Sequence, residues 1–315
     1  MSASLTRAQF LFGTMCAIEV TGSPSVLENA VEAGFAQMRR VARRLNPFDP
    51  ESEIRRLIAN ARPGRAYPVD EELLGVLDWA WTLAQATDGR YDPTAWPLLE
   101  LWRACWRSGR WPTEAERRHA LARVDYRRVR VDRVARAVTV DDPGVEIDLS
   151  SLAKGCALDA ALSALRQPGI ESARLTAGGQ VATWRADGRP IAIHIADPWD
   201  RGIVRQSIEL AQGAASTSNQ SESPLMIDAY PIGHLFDTRT GWPVESGVES
   251  VTVTAPTGLA ADGLSTAMFV AGPSDGASLL EHVPGAEAWI WRRDGGPAVG
   301  ERQVKRAQAL VEARS

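Results

Sequence analysis

The sequence predicts an α+β fold, one domain over residues 1–315 with a mixed, largely antiparallel sheet and packed helices. Strand signals follow one another without intervening helices at Ala173 to Thr176, Ile191 to Ile195, Ile203 to Leu210, Val248 to Thr254 and Ala288 to Trp291. A doubly wound nucleotide fold would alternate strands with helices instead. A chain of 315 residues can bury a large core, and no low-complexity linker or internal repeat divides it.

Taken in order, Phe10 to Val20 reads as a strand broken by Gly13. Ser25 to Leu45 reads as a helix, with Leu27, Val31, Phe35, Met38, Ala42 and Leu45 on one face and Pro24 near its first turn. Ser25-x-x-Glu28 has the form of a capping box, and Arg39, Arg40, Arg43 and Arg44 fall on the side expected to face solvent. Asp70 to Ala86 is a second helix, with Leu73, Leu77, Trp81 and Ala84 inward and a stop at Asp88-Gly89. Tyr126 to Val131 and Ala137 to Val140 alternate apolar and polar residues, the pattern of a hairpin. A further helix is expected over about Ala153 to Leu165, and another over Ala260 to Val270, which ends at Gly272-Pro273. The Ser-rich stretch Asn219 to Ser223 is expected to be a mobile loop near a site, and residues 295–315 a C-terminal tail.

Composition removes several function classes. Acidic residues number 39 against 35 basic ones, a formal charge of −4, so no basic field for nucleic acid is expected. Cys16, Cys105 and Cys156 are an odd set at wide spacing without a CxxC, which argues against a disulfide framework or a zinc site and for a reducing compartment. Met1 to Arg7 has no apolar stretch of the export type, and no run of eighteen apolar residues exists. The expectation is a cytoplasmic protein without a membrane anchor.

Two neighbouring segments carry the densest chemistry. His234-Leu235-Phe236-Asp237-Thr238-Arg239-Thr240-Gly241 gathers an imidazole, a carboxylate and a guanidinium before a glycine turn. Ala261-Asp262-Gly263-Leu264-Ser265-Thr266 places Asp262 and Thr266 at i and i+4, on one helical face. Their oxygens suit magnesium or calcium, or else Asp262 caps the helix and Thr266 bonds back to a carbonyl; spacing alone leaves both open. Asp148, Ser150, Ser151 and Lys154 stand where a strand gives way to a helix, either a phosphate site or an ordinary capped helix. Ala177-Gly178-Gly179-Gln180 lets backbone approach a ligand or simply turns, and Gly89 to Thr94 lays Tyr91 against a planar ligand or into the core.

These segments occur together and in order, and in that order the chain resembles the FAD:protein FMN transferase family, also called ApbE-like proteins. The resemblance runs over about residues 12–291. It rests on Phe12-Gly13-Thr14, Asn46 to Ile54, Gly89 to Thr94 with Pro97-Leu98, Asp148 to Gly155, Ala177-Gly178-Gly179, Ser216-Thr217-Ser218, His234 to Gly241 and Ala261 to Thr266.

The resemblance implies an enzyme that binds FAD as substrate with magnesium at the pyrophosphate. It would transfer FMN to a threonine or serine hydroxyl of an acceptor flavoprotein and release AMP. Carried over, Asp262, Thr266 and Ser151 would be metal ligands, and Asp148 and Lys154 would contact FAD. Phe12, Tyr91, Asp92 and Phe236 would line its pocket, with Gly178 and Gly179 allowing close approach. His234 would assist removal of the acceptor proton, or anchor its loop through Asp237. Against the family pattern, Gln180 replaces an acid, Asn219 a glycine, Thr238 a proline and Phe12 a methionine. An FAD-binding protein without transfer activity and a metal-dependent FAD pyrophosphatase are the alternative readings.

Overall fold

The computed structural model describes residues 2–142, 144–200, 202–220, 225–227, 230–292 and 302–304. Its centre is an eight-stranded sheet whose spatial order follows the chain: Ala3–Leu11, Thr14–Gly22, Ile170–Ala177, Gln180–Arg185, Gln212–Asn219, Val248–Ala255, Glu287–Arg292 and Arg302–Val304. Every neighbouring pair is antiparallel, so the expected α+β class with a largely antiparallel sheet is what forms.

The helices of eight residues or more are α1 (Pro24–Leu45), α2 (Glu53–Asn60), α3 (Glu71–Ala86), α4 (Trp96–Ser108), α5 (Glu114–Leu121), α6 (Ser150–Leu165) and α7 (Gly258–Ala271). One face of the sheet carries α1, α6 and α7, with α6 packed between the other two and α7 lying on the Gln212–Asn219 and Val248–Ala255 strands. The Ile191–Ala196 and Val204–Leu210 hairpin covers part of the other face, setting Ile193, Ile195 and Ile208 against Ala215, Trp289 and Trp291. Enclosure on both sides explains why Val248–Ala255 is buried at all eight positions. From Ala261 to Ala271, α7 is buried all round, and it accordingly shows no amphipathic stripe. Among the described residues no helix is long and apolar enough to cross a membrane.

Several expectations change in the structure. Phe10 to Val20 is two strands, not one, reversing at Phe12 (φ 53°) and Gly13 (φ 73°) with Leu11 opposite Thr14. Two consecutive positive-φ residues make the tight turn whose twist suits a hairpin. The Ser25–Glu28 capping box does not form, because Pro24 starts the helix and draws Ser25 inside it; Glu28 pairs with Arg7. The capping box that does form joins Thr113 and Glu116 at the start of α5. Arg44 is not on a solvated side: its side chain is 13% exposed and pairs with Glu53, Asp70 and Glu72.

The predicted hairpin is present as Val129–Asp132 with Ala137–Val140, joined at its edge by Ala66–Pro68. Helices α6 and α7 begin at Ser150 and Gly258, earlier than predicted. Asn219 ends a strand; residues 221–223 of the predicted mobile loop, and residues 295–301 and 305–315 of the predicted tail, lie outside the described residues.

Candidate active site

At the edge of the helical layer the first hairpin turn, the segment after α1, the loop after α3, the start of α6 and the face of α7 enclose a cleft of about 730 Å³. Phe12, Tyr91, Asp92, Asp148, Ser151, Lys154, Gly179, His234, Phe236, Asp262 and Thr266 all line it. Gly178 is not among the lining residues. It has φ 59° and makes the two-residue turn between paired Ala177 and Gln180.

The floor is built by the crossing of α6 and α7. A methyl group on Gly155 would lie 2.2 Å from the Gly258 carbonyl oxygen, so only glycine lets the two backbones come this close. Asp159 of α6 accepts from the Gly258 and Leu259 N–H groups at 2.6 and 2.8 Å, satisfying donors that the first turn of α7 leaves open. Thr257 is the N-cap of α7, accepting from the Ala260 N–H, which removes the reading of Asp262 as a cap.

Asp262 instead sits inside the helix, 3% exposed, and its Oδ2 accepts from the Gly155 N–H at 3.0 Å. One turn on, the Thr266 hydroxyl is 3.3 Å from Ser218 Oγ, which in turn lies 2.9 Å from Ser265 Oγ. Asp262 and Thr266 thus present oxygens side by side into the cleft wall.

Electrostatics follow from burial. Desolvation raises the Asp262 carboxyl above its ordinary range, opposed by the Lys154 charge, the Gly155 N–H and the side chains of Gln180 and Ser216. Asp148 is raised by the same cause, and its Oδ1 accepts from the Ser150 N–H at 2.8 Å. Burial also raises the Tyr91 phenol, whose hydroxyl is bonded to Ser151 Oγ at 2.9 Å. Lys154 has no carboxylate within 4 Å among the described residues, whereas arginines elsewhere, such as Arg44, are held by acids. An ammonium without a carboxylate partner, in a cleft also lined by the hydroxyl residues Ser151, Ser218 and Thr266, is suited to an anionic ligand.

Other lining residues serve the scaffold as well. Asp92 spends its carboxylate on its own loop, accepting from the Thr94 N–H (2.7 Å) and hydroxyl (2.6 Å) and the Tyr126 N–H (2.9 Å). Phe236 stacks on Trp102, with centroids 5.6 Å apart. Phe12 holds a positive φ that a bulky residue rarely adopts. His234 is exposed at the cleft wall, while the Asp237 carboxylate accepts from the Arg239 N–H at 2.9 Å.

The ApbE family model matches residues 12–290. The chain belongs to the ApbE family. It is 32% identical over 310 residues to the FAD:protein FMN transferase of Rhodobacter capsulatus, covering 96% of this chain and 58% of that relative, so it spans little more than half of that protein's length. The Treponema pallidum FAD:protein FMN transferase is 27% identical over 90% of this chain and 83% of its own length. The crystal structure of the Thermotoga maritima ApbE protein superposes with a TM-score of 0.80 at 30% identity, covering 93% of this chain and 96% of that one. The Vibrio cholerae flavin transferase ApbE, at 24% identity and TM-score 0.78, shares the fold, with 92% and 94% of the two chains covered.

Within this ApbE-family cleft, several residues escaped the sequence reading. Gly155 and Gly258 set the helix crossing, and no pattern in either helix marks them as partners. Lys154, by contrast, was already expected to contact FAD; it is one of only two lysines, with Lys305, in a chain whose positive charge is otherwise arginine. Phe48, 53% exposed, lies at the cleft wall under the Arg103 guanidinium, 4.4 Å from its ring centroid. Thr238, standing where the family pattern has proline, uses the N–H that proline lacks to bond the Arg90 carbonyl at 3.2 Å, and its hydroxyl bonds the Gly89 carbonyl. That substitution ties the His234–Gly241 segment to the loop after α3.

Proposed function

We propose that this chain transfers the FMN moiety of FAD to a threonine or serine hydroxyl of an acceptor protein, releasing AMP. The observation that carries the reading is the α6–α7 crossing, which gathers Lys154, Asp262 and Thr266 in one cleft. The family membership and the activity named for the relatives support it.

In this reading the acceptor oxygen forms a bond to the FMN phosphorus. The bond from that phosphorus to the bridging oxygen breaks, and AMP leaves with the bridging oxygen. Lys154 holds phosphate oxygens by its charge. His234, at the exposed wall, takes the proton of the acceptor hydroxyl. Phe12, Tyr91 and Phe236 bound the space for the aromatic parts of FAD.

A divalent cation fits the donor set. Among the described residues no group of three or more His, Cys, Asp and Glu side chains forms a metal cluster, and the proposed set of Asp262, Thr266 and Ser151 offers one carboxylate with two neutral hydroxyls. Such a set suits magnesium, which completes its shell with substrate phosphates. Asp262, Thr266 and Ser151 would hold it, and it would neutralise charge on the pyrophosphate. Activity in a reducing compartment belongs to the same reading, with Cys16, Cys105 and Cys156 buried and unpaired.

Co-expression with candidate acceptor proteins, read by in-gel flavin fluorescence, tests the proposal. A covalent fluorescent band is expected with wild type and not with Asp262→Ala. Bound FAD without any covalent band would favour a binding protein instead.

A further inference from the structure

Gln180 replaces an acid of the family pattern. It is the first residue of the Gln180–Arg185 strand, registered opposite Ala177 across the two-glycine turn and opposite Ser216 on the other side. Its side chain is fixed there at 3% exposure and lines the cleft. Four buried side-chain nitrogen or oxygen atoms lack a hydrogen-bond partner among the described residues: Trp79 Nε1, Trp96 Nε1, Arg174 Nε and Gln180 Oε1. Gln180 Oε1 is therefore the one acceptor in that group.

A carboxamide is two-faced, with donors on nitrogen and an acceptor on oxygen. The Asp262 carboxylate, which the Gln180 side chain supports, can take only the nitrogen face. That orientation leaves Oε1 buried in the wall of the cleft that Asp262 and Thr266 also line, with nothing to accept from, a costly arrangement unless a ligand supplies the partner.

We infer that Gln180 determines the affinity of the cation site: its oxygen is a further cation ligand, and its neutrality keeps the site at one carboxylate. This rests on the cation reading given above. An acid at 180 would add a second negative charge and hold a divalent ion without substrate. With Gln180 the protein binds the ion weakly until substrate phosphates complete the shell.

The test uses Mn2+ titrated into the full chain without FAD, followed by loss of the free-ion electron paramagnetic resonance signal, with Mg2+ as competitor. Gln180→Leu should weaken Mn2+ binding at least tenfold, and Gln180→Glu should tighten it at least tenfold. Gln180→Met, of similar length, replaces the Leu variant if circular dichroism in chelator shows that one to be unfolded. Apolar variants that bind within twofold of wild type, while Asp262→Ala abolishes binding, would overturn the role of Gln180 and leave the cation site standing. A Glu variant no tighter than wild type would overturn the charge argument. No binding by wild type, either alone or after FAD is added, would overturn both the inference and the cation reading beneath it.

Discussion

Replacing Gly155 with alanine puts one methyl group into the α6–α7 crossing, and its expected effect runs opposite to helix propensity. In a free helix the change stabilises by about 1 kcal/mol, because glycine has the higher backbone entropy to lose. Here the added Cβ would sit 2.2 Å from the Gly258 oxygen, 2.5 Å from its carbonyl carbon and 2.8 Å from Asp262 Cβ. Two of those atoms are backbone, so the helices must separate by roughly 1 Å to restore ordinary contact. Overpacking of this kind costs about 1–3 kcal/mol. Separation also strains the 3.0 Å bond from the Gly155 N–H to Asp262, a hydrogen bond to a charged acceptor worth about 1.5–3 kcal/mol. Set against the propensity gain, the net expectation is destabilisation of about 1.5–5 kcal/mol. Urea unfolding of wild type and Gly155→Ala, with chelator present, measures it. A variant as stable as wild type, or more stable, would refute the close crossing on which the site geometry depends.

Three further outcomes are expected. Burial raises the Asp159 carboxyl to about 6, above the unfolded value near 4, so the native state binds more protons in that interval. Its contribution to stability therefore falls by about 3 kcal/mol as pH rises from 4 to 6 and is flat above, a slope that Asp159→Asn should remove; parallel profiles for the two proteins would exclude it. His234→Ala should slow covalent flavin transfer by about 10²- to 10⁴-fold while leaving FAD affinity within a few-fold, and an unchanged transfer rate would remove it as the base. Asp262→Ala should stop AMP release while thermal unfolding shows a folded protein, and wild-type turnover in that variant would contradict the metal assignment.

The sequence was most legible where local chemistry decides structure. Asp70 caps α3 as its position suggests, accepting from the Leu73 N–H at 2.9 Å, and consecutive strand signals foretold the antiparallel sheet. It was less legible where distant partners decide. The Gln212–Asn219 strand, with small and polar residues, has little intrinsic strand signal and forms because strands pair with it on both sides. Spacing alone favoured Asp262 as a cap over Asp262 as a ligand, and the structure places Thr257 as the cap of α7 instead. Arg44 looked solvated because its acids lie on α2 and around the start of α3, which helical periodicity within α1 cannot reveal. The role of Gly155 depends on a glycine 103 positions later, 155 to 258, a separation at which spacing carries no information.

In the proposed reaction the cleft directs FMN to a protein hydroxyl and not to water. Quantifying AMP, free FMN and flavinylated acceptor in a single reaction, with FAD and magnesium saturating and an acceptor bearing the family's usual target sequence in excess, tests it most directly. One covalent FMN per AMP, with little free FMN, is the expected result. Free FMN equal to AMP, with the acceptor bound yet unmodified, would contradict it and identify a pyrophosphatase.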